Sequence, residues 1–100
     1  RPPTAIWTIN DLLAIGARRA INALGLRVPE DVALAGCDNT AIAAQLAPPL
    51  TTINIPAGEI GRRAAEVLLH RIDDPEAELV RDILPTCLVI RRSTDPSLPA

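Results

Sequence analysis

With 100 residues, 48% of them apolar, the chain can form the core of one small domain or part of a larger one, and it is not a disordered tail. A net charge of -2 on scattered Asp, Glu and Arg, with no basic stripe and no interleaved aromatics, argues against a phosphate-gripping surface in this segment, and stacking could use only Trp7, its one aromatic residue. No apolar run approaches the ~20 residues of a membrane span, and no basic-then-apolar leader precedes the first strand pattern, so a soluble chain without a signal peptide is expected.

Residues 5–9 read as an apolar strand that ends on Asn10 and Asp11. Asp11 is placed to cap a helix over residues 12–24, which Gly25 stops. Leu13, Ala17, Ala20 and Leu24 form its expected core stripe, with Ile15 almost opposite, beside Arg19 and Asn22. Ile15 reads equally well as a single exposed apolar residue or as a contact with a partner chain. A turn over residues 27–31 leads into a second strand, 32–37, whose unbroken apolar run fits a parallel strand covered on both faces. This strand ends on Asp38 and Asn39.

A short helix is expected over residues 40–46, stopped by Pro48-Pro49, and residues 51–55 read as a strand or extended crossover. Pro56 then opens a second long helix to about residue 72, with Ile60, Ala64, Val67, Leu68 and Arg71 on its inner side. Glu59 with Arg63, and Glu66 with His70, are expected surface pairs; the lone histidine has no neighbour that would give it a catalytic or metal role. After an acidic loop at 73–78, residues 80–84 and 86–92 read as strand on either side of Pro85, which marks a bend or a crossing between two units. Residues 93–100 read as a loose tail. Cys37 and Cys87 lie in apolar strand patterns outside any CxxC or Cys/His array, so buried reduced thiols, no metal site and no cofactor are expected. Four strands and two substantial helices cannot close a doubly wound sheet, and the chain reads as part of a domain.

In an open parallel sheet, ligands bind along the carboxyl edge of the strands. Asn10-Asp11 and Asp38-Asn39 meet at that edge and offer a small polar ligand both carboxylates and amides. Each has a plainer reading as well: Asp11 as a cap alone, Asp38-Asn39 as a turn alone. Two carboxylates at one edge also raise acid/base work on a glycoside. No nucleophile with its base and no phosphate loop accompanies them, so no enzyme is expected.

Several ordered motifs carry a resemblance that covers nearly the whole chain. They are Trp7-Thr8-Ile9-Asn10-Asp11-Leu12-Leu13-Ala14-Ile15-Gly16-Ala17, Gly25-Leu26-Arg27-Val28-Pro29-Glu30-Asp31-Val32, Gly36-Cys37-Asp38-Asn39-Thr40 and Pro48-Pro49-Leu50-Thr51-Thr52-Ile53. Gly61-Arg62-Arg63-Ala64-Ala65 and Leu84-Pro85-Thr86-Cys87-Leu88-Val89-Ile90-Arg91-Arg92-Ser93-Thr94 continue the series. Together they closely resemble the lactose/galactose-repressor (LacI/GalR) family of bacterial transcription regulators. The resemblance implies an α/β, parallel-sheet, periplasmic-binding-protein-like (type I) effector domain, present as an incomplete fragment. Residues 1–54 would be part of its C-terminal lobe, 55–84 part of its N-terminal lobe, and 85–100 the return crossover and tail.

It further implies that Asn10, Asp11 and Asp38 contact a sugar, nucleoside or purine-like effector, the carboxylates accepting and the amide both donating and accepting. Ile15 and Leu46 match the family's homodimer interface, which moves Ile15 toward the partner reading. DNA would be bound only through a helix-turn-helix segment outside these residues, in a cytoplasmic protein that does not enter membranes. Ala57 stands where several members have an aromatic residue against the ligand, and Cys37 where many have Phe or Tyr. The alternatives are a fragment of a periplasmic sugar-binding protein of the same fold, or a purely structural dimerisation piece.

Overall fold

A computed structural model describes residues 1–100. The elements run β1 (Ala5–Trp7), α1 (Asp11–Ala23), β2 (Ala33–Asp38), a 3-10 turn at Ala43–Gln45, β3 (Thr51–Asn54), α2 (Ala57–Asp73) and β4 (Cys87–Val89). One sheet of order β1-β2-β3-β4 joins the strands, the first three parallel and β4 antiparallel to β3. The chain is α/β with a largely parallel sheet, as its pattern predicts. It divides into two compact units, Arg1–Ile55 with Cys87–Ala100, and Pro56–Thr86. No helix is long and apolar enough to cross a membrane.

In the first unit α1 covers one face of the sheet. Ala14, Ile21, Val28, Val32, Leu34, Ala43 and Leu50 form the buried core, with Ile6, Ala17, Leu26 and Leu46 packed against it. The inner face of α1 is therefore Asp11, Ala14, Ala17 and Ile21, not the stripe of Leu13, Ala17, Ala20 and Leu24. Leu13 and Leu24 are exposed. The phase differs because Asp11 itself points inward, which turns the helix by about one residue, 100°, from the orientation that keeps this carboxylate outside. The cap is also one residue earlier. Asn10, in extended conformation, accepts the Leu13 N–H at 2.8 Å.

β2 alternates between buried and half-buried residues, so within this chain it is covered on one face rather than two. Its other side, with Trp7 beside Ala35, and Cys37, Ile53 and Leu88 in register across the sheet, is half-buried to exposed. Cys37 is half-buried and Cys87 exposed, and neither forms a disulfide, which corrects the expectation of two buried thiols. The helix expected over 40–46 shortens to the 3-10 turn.

The segment after β4 is tied down, not loose. Ser93 is buried; its N–H donates to the Pro49 carbonyl, and its carbonyl accepts the Leu34 N–H. Its hydroxyl donates to the Leu34 carbonyl at 2.6 Å and accepts the Thr51 N–H at 2.8 Å, linking β2 to β3. Arg92 holds the following turn through the Pro96 and Leu98 carbonyls and reaches Glu30. Ahead of β2, Arg27 and Asp31 pair at 2.9 Å, and this contact holds the Asp31 carboxyl below the usual carboxylate range.

In the second unit α2 has no buried residue. Ile60, Ala64, Val67, Leu68 and Arg71 lie on one side, as the spacing predicts, and with Val80, Asp82 and Leu84 they line a groove of about 390 Å³. Residues 80–84 are not a strand. Leu79 and Ile83 are exposed, and Val80, Asp82 and Leu84 line the groove beside α2 instead of pairing with a ladder partner. Arg63 pairs with Asp82 at 2.8 Å and with Glu66, and Arg62 with Glu59 and Glu66. The expected Glu59–Arg63 and Glu66–His70 pairs are replaced by these.

Leu34 is 1% exposed at the centre of the core. Leu34→Ala should cost about 2–5 kcal/mol, read as a lower urea midpoint at unchanged m-value.

Candidate functional site

The site grows from the ends of β1 and β2, which are parallel neighbours and deliver their last residues to the same edge. β1 leads through Thr8, whose hydroxyl bonds the Asn10 carbonyl at 2.8 Å and the Ala35 carbonyl at 3.2 Å. This fixes the entry to α1. The capping bond to Leu13 occupies the Asn10 side-chain oxygen, which leaves its amide nitrogen as a donor at a half-buried position.

Asp11 is 0% exposed. One carboxylate oxygen accepts the Thr40 N–H at 2.8 Å and the Thr40 hydroxyl at 2.9 Å, and the other accepts the Thr52 hydroxyl at 2.7 Å. Burying a carboxylate is costly unless charge-assisted hydrogen bonds replace water, and three do so here. The first turn of α1 adds its positive dipole end. These bonds tie α1 to the loop after β2 and to the middle of β3. Gly36 makes the approach possible: a Cβ on it would stand 2.5 Å from the Asp11 carboxylate and 3.2 Å from its Cα.

Asp38 and Asn39 carry the only positive-φ conformations outside glycine, at 108° and 53°. Such backbone is strained, especially for Asp38, and persists where the surroundings over-determine it. The Asp38 side chain is exposed at the end of β2, in register with Asn54. Asn39 is held from three sides. Its N–H donates to the Thr52 hydroxyl at 3.2 Å, its amide nitrogen to Asn54 at 2.9 Å, and its amide oxygen accepts from Arg91 at 2.9 Å.

Of the residues singled out in the sequence, Asn10, Asp11 and Asp38 come to one sheet edge, but in different chemical states. Asn10 and Asp38 reach the surface. Asp11, whose oxygens are committed to Thr40 and Thr52, is buried inside. Sequence reasoning left Thr40, Thr52, Asn54 and Arg91 without roles. Thr40, Thr52 and Arg91 all lie within the quoted motifs, yet their partners stand 29 to 52 residues away, beyond any local pattern. Ile15 is half-buried on α1, and Leu46, just after the 3-10 turn, is half-buried against the core. Arg18 of α1 donates to the Ala47 carbonyl, which joins the two segments carrying Ile15 and Leu46.

The close approach at Gly36 predicts that Gly36→Ala destabilises the protein by about 1–3 kcal/mol, as overpacking against backbone does. A Cβ at Gly16 on α1 would meet nothing within 4 Å, so Gly16→Ala should be neutral or stabilising by up to about 1 kcal/mol. Chemical denaturation of the two variants checks the pair.

Residues 1–94 match the periplasmic binding protein-like domain family. The HTH-type transcriptional repressor PurR of Vibrio vulnificus is 46% identical over 74 residues, which are 74% of this chain and 22% of that protein. A LacI family transcriptional regulator from Enterococcus faecalis V583, solved with bound ribose, superposes with a TM-score of 0.90 at 38% identity, over 96% of this chain and 36% of that one. The lac repressor dimer bound to operator and the anti-inducer ONPF gives a TM-score of 0.83 at 38% identity, over 92% of this chain and 28% of that one. The chain thus spans about a quarter of the length of the curated relatives it matches. By sequence and by fold, this chain belongs to the lactose/galactose-repressor (LacI) family and carries part of its periplasmic-binding-protein-like domain.

Proposed function

We propose that this chain supplies one wall of the effector site, and part of the dimer surface, of a bacterial DNA-binding regulator that senses a sugar or a nucleoside- or purine-like molecule. The observation that carries this reading is the pairing, at one sheet edge, of a free amide donor on Asn10 with an exposed carboxylate on strained backbone at Asp38. A hydroxyl group both donates and accepts, and a ring N–H donates, so this pair suits sugar hydroxyls and purine nitrogens alike. The ribose bound to the Enterococcus faecalis relative supports the sugar class. In this reading Asp11 serves the ligand indirectly, by holding the two strand ends together.

The two compact units support assigning residues 1–54 and 85–100 to the C-terminal lobe and 55–84 to the N-terminal lobe. Effector binding would bias the parent protein between two states, which a ligand can do only through different affinity for each. Ile15 and Leu46 would carry that bias across a homodimer, and DNA contact would fall to a helix-turn-helix segment outside residues 1–100. The parent protein would act in the cytoplasm as a sensor without turnover; hydrolysis of a bound glycoside would contradict this.

Calorimetric titration of the full-length regulator with D-ribose and, in parallel, with guanine identifies the class. Asp38→Ala should then weaken the bound ligand at least about tenfold, as loss of a hydrogen bond to a charged group does. Unchanged affinity would place the site elsewhere. Asp38→Gly should lose the same affinity yet be at least as stable as the parent, because glycine tolerates the backbone that strains aspartate. Ile15→Asp should shift the sedimentation profile toward monomer, and an unaltered profile would remove Ile15 from the interface.

A further inference from the structure

We infer that Arg91 and Asn39 are positioning residues for Asp38: the Arg91 guanidinium clamps Asn39 in left-handed backbone, and that conformation sets where the neighbouring carboxylate stands. The inference rests on the proposal that Asp38 faces the effector.

Asp38 and Asn39 follow each other at φ 108° and 53°, a pair of conformations that a free loop of these residues would relax. The side chain of Asn39 is held at both ends, by Asn54 on its nitrogen and by Arg91 on its oxygen. Arg91 is itself anchored. Its second guanidinium nitrogen donates to the Leu50 carbonyl at 2.9 Å, and its backbone N–H to the Thr51 hydroxyl at 2.8 Å. A planar fork with two donors at fixed spacing spans Leu50 and Asn39 together, which the point charge of a lysine does not.

Connectivity gives the clamp its meaning. Asn54 ends β3, the strand by which the chain leaves the first unit, and Arg91 lies two residues beyond β4, the strand by which it returns. Asn39 therefore bonds to a side chain on the departing strand and to one on the segment that directly follows the returning strand. A shift of either strand against β2 is delivered to the backbone that presents Asp38.

The test uses the full-length regulator and reads amide hydrogen exchange over residues 38–41, with residues 31–35 of the core as reference, alongside titration with D-ribose and guanine. Arg91→Ala should speed exchange at 38–41 by at least about tenfold, the loss of one charge-assisted hydrogen bond, and leave 31–35 unchanged. Arg91→Lys should behave like Arg91→Ala, since the charge remains but the fork does not. A glycine in place of Asn39 adopts this backbone without a clamp, so in an Asn39→Gly background Arg91→Ala should change neither exchange at 38–41 nor affinity. Unchanged exchange in Arg91→Ala, equal acceleration in the reference segment, or additive losses in the double variant would each overturn the inference. Failure of both probes to bind would instead count against the effector reading, with the exchange results still deciding the clamp.

Discussion

Asp11 is an anion with no access to water, placed in the first turn of α1, and the carboxyl edge of the sheet is organised around making that burial tolerable. An unpaired buried carboxylate would cost several kcal/mol, so its three donors are structural necessities. Thr40 supplies two of them from the loop after β2, and Thr52 supplies the third from β3. The start of α1, the loop after β2 and the middle of β3 are thereby fixed relative to one another. Gly36 is the matching condition on β2, since any side chain there would occupy the space that the carboxylate fills.

From this anchor the constraint passes outward. The Thr52 hydroxyl that donates to Asp11 accepts the N–H of Asn39, and Asn39 stands beside Asp38. The buried charge and the exposed charge are thus linked by one hydroxyl and one peptide unit. Strain at Asp38 and Asn39 lies at the outer end of this chain of bonds. Asn10 reaches the same edge by another route, as the residue that caps α1 with one end of its amide and leaves the other free. The unsatisfied first turn of a helix and the ends of parallel strands are general features of such sheets; the particular amide and carboxylate are what make this edge suited to a polar ligand.

How much of this was legible in the sequence depended on the range of the interaction. The strands that lead to Asn10-Asp11 and Asp38-Asn39 were readable because apolar runs and turn residues are local signals, although β1 stops at Trp7 rather than running to Ile9. The phase of α1 was not, because the apolar stripe of Leu13, Ala17, Ala20 and Leu24 lies about one residue from the true inner face, which Asp11 shares with Ala14 and Ile21. Residues 80–84 read as strand from their apolar content beside Pro85, and lack a partner to pair with. Ser93, in a stretch that reads as a tail, is locked by bonds to Leu34 and Thr51, 59 and 42 residues away, which no local pattern announces. The motifs that carry the family resemblance did contain Thr40, Thr52 and Arg91, but their roles appear only when the fold brings them to Asp11 and Asn39.

The most direct test of the account is a double-mutant cycle between Asp11 and Thr52 in the full-length protein, using the near-isosteric changes Asp11→Leu and Thr52→Val, each of which removes its half of the bond, and urea unfolding. If the buried carboxylate and this hydroxyl form the bond on which the edge depends, each single change leaves a polar group stranded, and the two should couple by about 1–3 kcal/mol. Additive losses, with no coupling between the two positions, would contradict it.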